Sequence, residues 1–408
     1  TVPPLTTEFR GCRFEPRCEA SWDVCAKQIP VTRKPGNKQS VMCHLYDKKI
    51  AATRPEPWEP DSPMQPKVTT DSTAEQEASH EKFVDKHDRT LLEVKDLKVY
   101  FPIHKGILKR VAGYVYAVDG VELEIKPGKT LALVGESGCG KTTVGKGILQ
   151  LLREYTQGDI RFESENLQEL KGESLRKKRS DFQIIFQDPF SSMNPRMRVS
   201  DIIEEGMISL NMNISAQDRS KRIDELLMMV GLSPDMRHRY PHEFSGGQRQ
   251  RICIARALAV KPKLIICDEP TSALDVSVQA QILNLLKSLQ DKLALSYLFI
   301  THDISVVAYL ADEIAVMYLG RIVEHGPVEE VMRNPMHPYT KALFAAVPEI
   351  NKDTIENKKI LTGDLPSPIN PPKGCHFHPR CPEVLDKCRV AYPDSTEGEH
   401  QTRCHLYV

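Results

Sequence analysis

The sequence predicts an α/β fold, a buried and largely parallel sheet with a helical subdomain inserted in it. Three observations lead there. Apolar runs of strand length recur between Leu92 and Tyr318, with helical segments between several of them. One run, Thr130 to Val134, leads directly into glycines and then a helical stretch, Lys141 to Leu152. Between Pro189 and Phe244 strand-like runs vanish, and Met-rich amphipathic segments, Val199 to Met207 and Ala216 to Val230, replace them.

The elements follow in order. Residues 47–90 hold Pro55, Pro57, Pro60, Pro63 and Pro66 and then a polar stretch without apolar periodicity, which reads as a linker, extended first and disordered after. A folded domain begins near residue 91 with the β-type runs Leu92 to Phe101 and Val115 to Ile125, closed by the turn Lys126-Pro127-Gly128-Lys129. Further strands are expected at Gly158 to Phe162, Phe182 to Gln187, Leu264 to Asp268, Ser296 to Thr301 and Ile314 to Tyr318. The helical subdomain spans about 189–244 and the domain ends near 330; 331–408 is an extension with a short helix, Tyr339 to Ala346, a proline-rich passage and four cysteines.

The chain has 408 residues, more than one ordinary domain, and 55 basic residues balance 55 acidic ones, so no global basic field draws it to nucleic acid or anionic lipid. The run Arg176-Lys177-Lys178-Arg179 reads as a solvated helix face. The longest apolar runs, such as Leu264 to Cys267, fall far short of the roughly 18 residues needed to span a bilayer. With no secretory signal segment, the 11 cysteines are expected to be reduced thiols of a cytoplasmic protein.

Gly135-Glu136-Ser137-Gly138-Cys139-Gly140-Lys141-Thr142 fits the phosphate-loop pattern G-x-x-x-x-G-K-[ST], and Thr143 carries it into the helix. Glycines let backbone N–H groups converge on phosphate oxygens at a helix start, where the dipole favours negative charge. Lys141 is expected to reach the β- and γ-phosphates of ATP and Thr142 to ligate Mg²⁺. The apolar strand Leu264 to Cys267 ends in Asp268 and Glu269, the first placed to hold Mg²⁺ and the second to polarise the attacking water.

A second potential phosphate cradle, Phe244-Ser245-Gly246-Gly247-Gln248, precedes the helical run Ile252 to Val260, with Ser245 as helix cap. Together these motifs resemble those of ATP-binding cassette (ABC) ATPases, over about residues 91–330. The resemblance implies a P-loop NTPase fold of the ABC type, a mixed sheet core with an inserted helical subdomain, here with small cysteine-rich terminal extensions. It also implies that Gln187 senses Mg²⁺ and water and couples to a membrane partner, that His302 contacts the γ-phosphate, and that Asp275 of Ser272-Ala273-Leu274-Asp275 belongs to the nucleotide site. Phe101 is the best match for the family's adenine-stacking aromatic, with Tyr100, Tyr114 and Tyr116 competing. Cassettes of this family pair head to tail, so Ser245, Gly246, Gly247 and Gln248 are expected to serve the ATP of a second cassette.

Cys375, Cys381, Cys388 and Cys404 are separated by five, six and fifteen residues, a set suited to a closed four-thiolate site holding zinc or an iron–sulfur cluster. Residues 334–347 and the segment Asp188 to Arg196 resemble oligopeptide and dipeptide importer ATPases. That resemblance favours a 4Fe-4S cluster over zinc, with His376, His378 and His405 as alternative ligands. Because these cysteines lie outside the cassette in sequence, ATP hydrolysis is expected to be indifferent to them.

The N-terminus repeats this tail. Cys375, Cys381 and Cys388 each stand 363 residues beyond Cys12, Cys18 and Cys25, and Phe377, Pro379 and Arg380 match Phe14, Pro16 and Arg17 at the same offset. Cys43-His44-Leu45-Tyr46 matches Cys404-His405-Leu406-Tyr407 at an offset of 361. Residues 1–46 therefore read as the tail of a preceding ABC module, lost from a tandem fusion, with a second cluster at Cys12, Cys18, Cys25 and Cys43.

The function implied is that of an ATP-hydrolysing subunit at the cytoplasmic face of the inner membrane. It is expected to work with two permease subunits, a second ATPase domain and an extracytoplasmic substrate-binding protein, without nucleic acid. A soluble iron–sulfur cassette acting on ribosomes or nucleic acid is the alternative, disfavoured by the single cassette and the importer-type tail. Dipeptides, longer peptides and nickel chelates all remain open as cargo.

Overall fold

The computed structural model describes residues 11, 12, 14, 15, 18, 20–36, 39–54, 90–106, 110–346 and 363–408. Pro16, Arg17 and the linker segment 55–89 lie outside them. The chain divides into two units, Thr1–Glu81 and Lys82–Val408.

In the first unit a helical turn, Asp23–Lys27, precedes a hairpin of β1 (Thr32–Gly36) and β2 (Gln39–Met42). The start of the expected linker is helical: Asp47 caps Lys48–Ala51 by accepting from the Lys49 and Ile50 amides, giving these four residues a local reason to coil. The cysteines hold a backbone framework that recurs in the C-terminal lobe. The Cys12 amide donates to Cys25 O as Cys375 does to Cys388 O, Cys18 to Glu15 O as Cys381 to His378 O, and Cys25 to Trp22 O as Cys388 to Leu385 O. Tyr46 donates to Cys43 O as Tyr407 does to Cys404 O.

In the second unit, β3 (Leu92–Lys105) and β4 (Arg110–Ile125) pair with β6 (Thr156–Phe162) and β7 (Glu165–Asn166) in an antiparallel sheet ordered β4-β3-β6-β7. The other sheet has seven strands. Its elements are β5 (Thr130–Val134), β8 (Phe182–Ile185), β9 (Leu264–Asp268), β10 (Ser296–Thr301), β11 (Glu313–Tyr318), β12 (Arg321–Pro327) and β13 (Gln401–Thr402), in the order β13-β12-β11-β5-β10-β9-β8. Pairing is parallel from β11 through β8 and antiparallel at β12 and β13.

The mixed sheet that the family resemblance implies is present, parallel through most of its strands, and the one addition is that β3, β4, β6 and β7 form a separate antiparallel sheet. A short connection between consecutive strands forces the antiparallel pairing of β3 with β4, whereas parallel neighbours need a crossover. β5, β9 and β10 are buried at every residue, as both-face coverage requires, while β3 alternates. β12 and β13 escaped the sequence reading, the second because two residues have no period.

Among the described residues no strand falls between Ile185 and Leu264. Helices Val199–Ser209 and Ala216–Met229 pack there on Gly246–Leu258 through Ile202, Ile203, Met207, Ile223, Leu226 and Leu227, each at most 1% exposed. Fully burying such a side chain contributes about 1.5–3 kcal/mol. Among the described residues no helix is long and apolar enough to cross a membrane.

Candidate nucleotide site

The phosphate loop joins β5 to the helix Lys141–Ile148. Its backbone demands glycine: Gly140 caps the helix at φ 109°, and a Cβ there would run into the Ala117 carbonyl. Lys141, 5% exposed, donates from Nζ to Gly135 O (2.8 Å) and Glu136 O (3.0 Å). The loop's own carbonyls thus hold the ammonium at the mouth of the cradle.

Thr142 Oγ1 donates to Asp268 Oδ1 at 2.8 Å, joining the loop to the tip of β9. Burial pushes the Asp268 carboxyl above the usual carboxylate range, against the Thr142 hydrogen bond and with help from the neighbouring Glu269 charge. A hydroxyl and a desolvated carboxylate are hard oxygen donors, and a cation beside them would offset the cost of the buried charge. The pair fits Mg²⁺.

Glu269 follows β9 in a left-handed conformation, φ 45°, with its amide donating to Ile300 O. Gln187 Nε2 donates to Glu269 Oε2 at 2.9 Å, and His302 Nδ1 lies 3.2 Å from Glu269 Oε1. Sheet order explains the meeting. Gln187, Glu269 and His302 follow the carboxyl ends of β8, β9 and β10, which are parallel neighbours, and the phosphate loop follows the next strand, β5. The arrangement can bind a polyphosphate at the loop and orient a water with one carboxylate steadied from both sides.

The helix after the second cradle begins at Gly246, six residues earlier than the apolar run indicates. Ser245 Oγ accepts from the Gln248 amide and Gln248 Oε1 from the Ser245 amide, a reciprocal cap that overrides the weak helix preference of two glycines. Ser245, Gly246 and Asp275 are exposed. Phe101 packs on Tyr155, ring centroids 5.2 Å apart, while Tyr100 donates to Asp119 and Tyr116 stands edge-on to Tyr100.

Two residues that the sequence reading left without a role touch the loop. Arg380 forms a two-pronged pair with Glu136, Nη1–Oε2 2.8 Å and Nη2–Oε1 3.0 Å. The Glu136 amide donates to Tyr339 Oη at 2.8 Å, and Tyr339, fully buried, packs with Tyr318 and Phe377. The signal was in the repeat: an arginine kept beside the cysteines in both copies has a task apart from thiol packing. The cysteine lobe also supplies β13, so it is joined to the cassette, and its indifference to ATP chemistry is no longer the expectation.

The thiols gather without forming a ready metal site. Cys12, Cys18, Cys25 and Cys43 line one cavity of about 230 Å³. Burial, with the neighbouring thiols adding to it, pushes Cys375 up to about 11, and Cys381 and Cys404 are raised by burial too. Among the described residues no three His, Cys, Asp or Glu side chains stand in metal-ligating arrangement. The closed four-thiolate site expected from the sequence is therefore not seen as a ligating cluster among the described residues. The donor chemistry, four cysteines to a lobe, still suits a soft metal.

Comparison with known proteins agrees with this geometry. Residues 118–272 match the family described as ABC transporter, and residues 323–388 match the C-terminal region of oligopeptide/dipeptide transporters. The chain is 49% identical over 326 residues to the oligopeptide transport ATP-binding protein AppF of Bacillus subtilis, covering 79% of this chain and 98% of that protein. It is 48% identical over 308 residues to the dipeptide transport ATP-binding protein DppF of Haemophilus influenzae, covering 76% and 93%. Among solved structures, cbiO1 of Clostridium perfringens, part of an ABC transporter complex, superposes with a TM-score of 0.52 at 28% identity over 60% of this chain and 92% of that one. The chain belongs to the ABC transporter ATPases, in the oligopeptide/dipeptide importer family.

Proposed function

We propose that this protein hydrolyses ATP to energise the import of di- or oligopeptides through a membrane transporter. The observation that carries the reading is the Glu269 carboxylate held between Gln187 and His302, with only β10 between its strand and that of a phosphate loop whose threonine is bonded to Asp268. Glu269 takes a proton from water as the water oxygen attacks the γ-phosphorus and the bond to the ADP oxygen breaks. Lys141 and the loop amides bind the phosphates, Phe101 stacks on adenine, and Mg²⁺, held by Thr142, Asp268 and Gln187, supplies charge neutralisation.

Ser245, Gly246, Gly247, Gln248 and Asp275 serve the ATP of a second cassette. The exposure of Ser245, Gly246 and Asp275, with Val276 beside the last 84% exposed, supports a partner surface there. The chain sits peripherally at the cytoplasmic face of the inner membrane on two permease subunits fed by an extracytoplasmic binding protein. Residues 91–330 are the cassette and 331–408 its extension, and the framework shared by the two cysteine lobes supports 1–46 as a second copy of that extension.

Co-purification with permeases, and ATP turnover stimulated by peptide-loaded binding protein, are the expected results. Co-sedimentation with ribosomes in place of permeases would favour the soluble alternative. Cys375, Cys381, Cys388 and Cys404 hold a 4Fe-4S cluster, so protein purified without oxygen is expected to be brown and Cys381→Ser to lose most of that colour. Colourless protein with stoichiometric zinc would replace the cluster with a zinc site.

A further inference from the structure

Glu136, the second residue of the phosphate loop, is an electrostatic liability. A carboxylate there adds negative charge to a loop that gathers phosphates, weakening binding by simple Coulomb repulsion. The fold answers it from a sequence distance of 244 residues: Arg380 meets both carboxylate oxygens, with its own side chain only 7% exposed. Two parallel N–H···O bonds fix direction as well as charge. The Glu136 backbone is held independently, its amide by Tyr339 Oη, so the loop keeps that anchor when the carboxylate changes.

We propose that Arg380 is a positioning residue of the ATP site: by neutralising and aiming Glu136, it raises the affinity of the phosphate loop for ATP without touching the nucleotide. The inference rests on the reading of that loop as an ATP site. Arg380 occupies the turn His378–Arg380 between Cys375 and Cys381, which makes the cysteine lobe part of the nucleotide machinery. The repeated pattern Phe-x-Pro-Arg at Phe14 to Arg17 preserves the same residue in the N-terminal copy.

The charge mechanism separates this role from that of a simple structural pin. Arg380→Gln leaves Glu136 unneutralised and is expected to weaken Mg-ATP binding about five- to tenfold. Glu136→Gln leaves Arg380 facing the phosphates and is expected to tighten it. The double variant should return to within about twofold of the wild type, since both charges are gone together. Arg380→Lys, which keeps the charge but loses the fork, should fall between wild type and Arg380→Gln.

The test is equilibrium titration of the full chain with Mg-ATP, with steady-state turnover expected to place the loss on KM rather than kcat. If the wild type does not bind ATP, the nucleotide reading itself fails. If the wild type binds and Arg380→Gln binds equally well, the inference alone fails. It fails too if Glu136→Gln weakens binding as Arg380→Gln does and the double variant gives no relief. Should Arg380→Gln not fold, the sign of the Glu136→Gln effect still decides.

Discussion

Glu269→Gln is expected to bind ATP normally and to hydrolyse it on the order of 10² to 10³ more slowly, the usual effect of removing one preorganised electrostatic contact from a reacting centre. The amide keeps the shape of the carboxylate, and the Gln187 hydrogen bond can persist if the amide oxygen takes the place of Oε2. The new NH₂ then faces His302 Nδ1, where an oxygen had been. What disappears is the negative charge proposed to take a proton from water. Turnover measured with the permease partners present checks this, and wild-type turnover in the variant would sink the role of Glu269.

Lys141→Ala should fail one step earlier, at binding. In the structure the ammonium satisfies the Gly135 and Glu136 carbonyls, and on the proposed reading it turns to phosphate oxygens when nucleotide binds. Each hydrogen bond from a charged donor contributes about 1.5–3 kcal/mol, so losing the contact to the β- and γ-phosphates costs about 10²-fold or more in affinity. Lys141→Arg should not restore it, because the planar fork does not fit a pocket shaped around a compact ammonium. Titration with ATP separates the two variants: Glu269→Gln saturates at wild-type concentrations and Lys141→Ala does not. Equal binding by wild type and Lys141→Ala would remove the lysine from the phosphate site.

Local chemistry was legible because neighbouring residues carry it. The glycines, Lys141 and Thr142 form one contiguous turn whose geometry follows from which residues tolerate positive φ, and the buried strand β9 announces itself as an unbroken apolar run ending in two carboxylates. The cysteine repeat was legible for the same reason, since a fixed offset needs no structure to detect. Gln187 and His302 were known only through the family's order of motifs.

The sequence by itself determined the α/β character, the phosphate loop, the acidic strand end and the duplication of the cysteine lobe. Tertiary structure decided everything that depends on strand order. Placing β9 between β8 and β10 brings Gln187 and His302 onto the Glu269 carboxylate, and the order β5-β10-β9 sets Thr142 against Asp268. Adding β13 to the edge of that sheet attaches the cysteine lobe to the cassette, and Arg380 reaches Glu136. Periodicity reports which face of an element is buried and says nothing of what covers it. Contacts across hundreds of residues are chosen by how the buried faces stack, and only the folded chain records that choice.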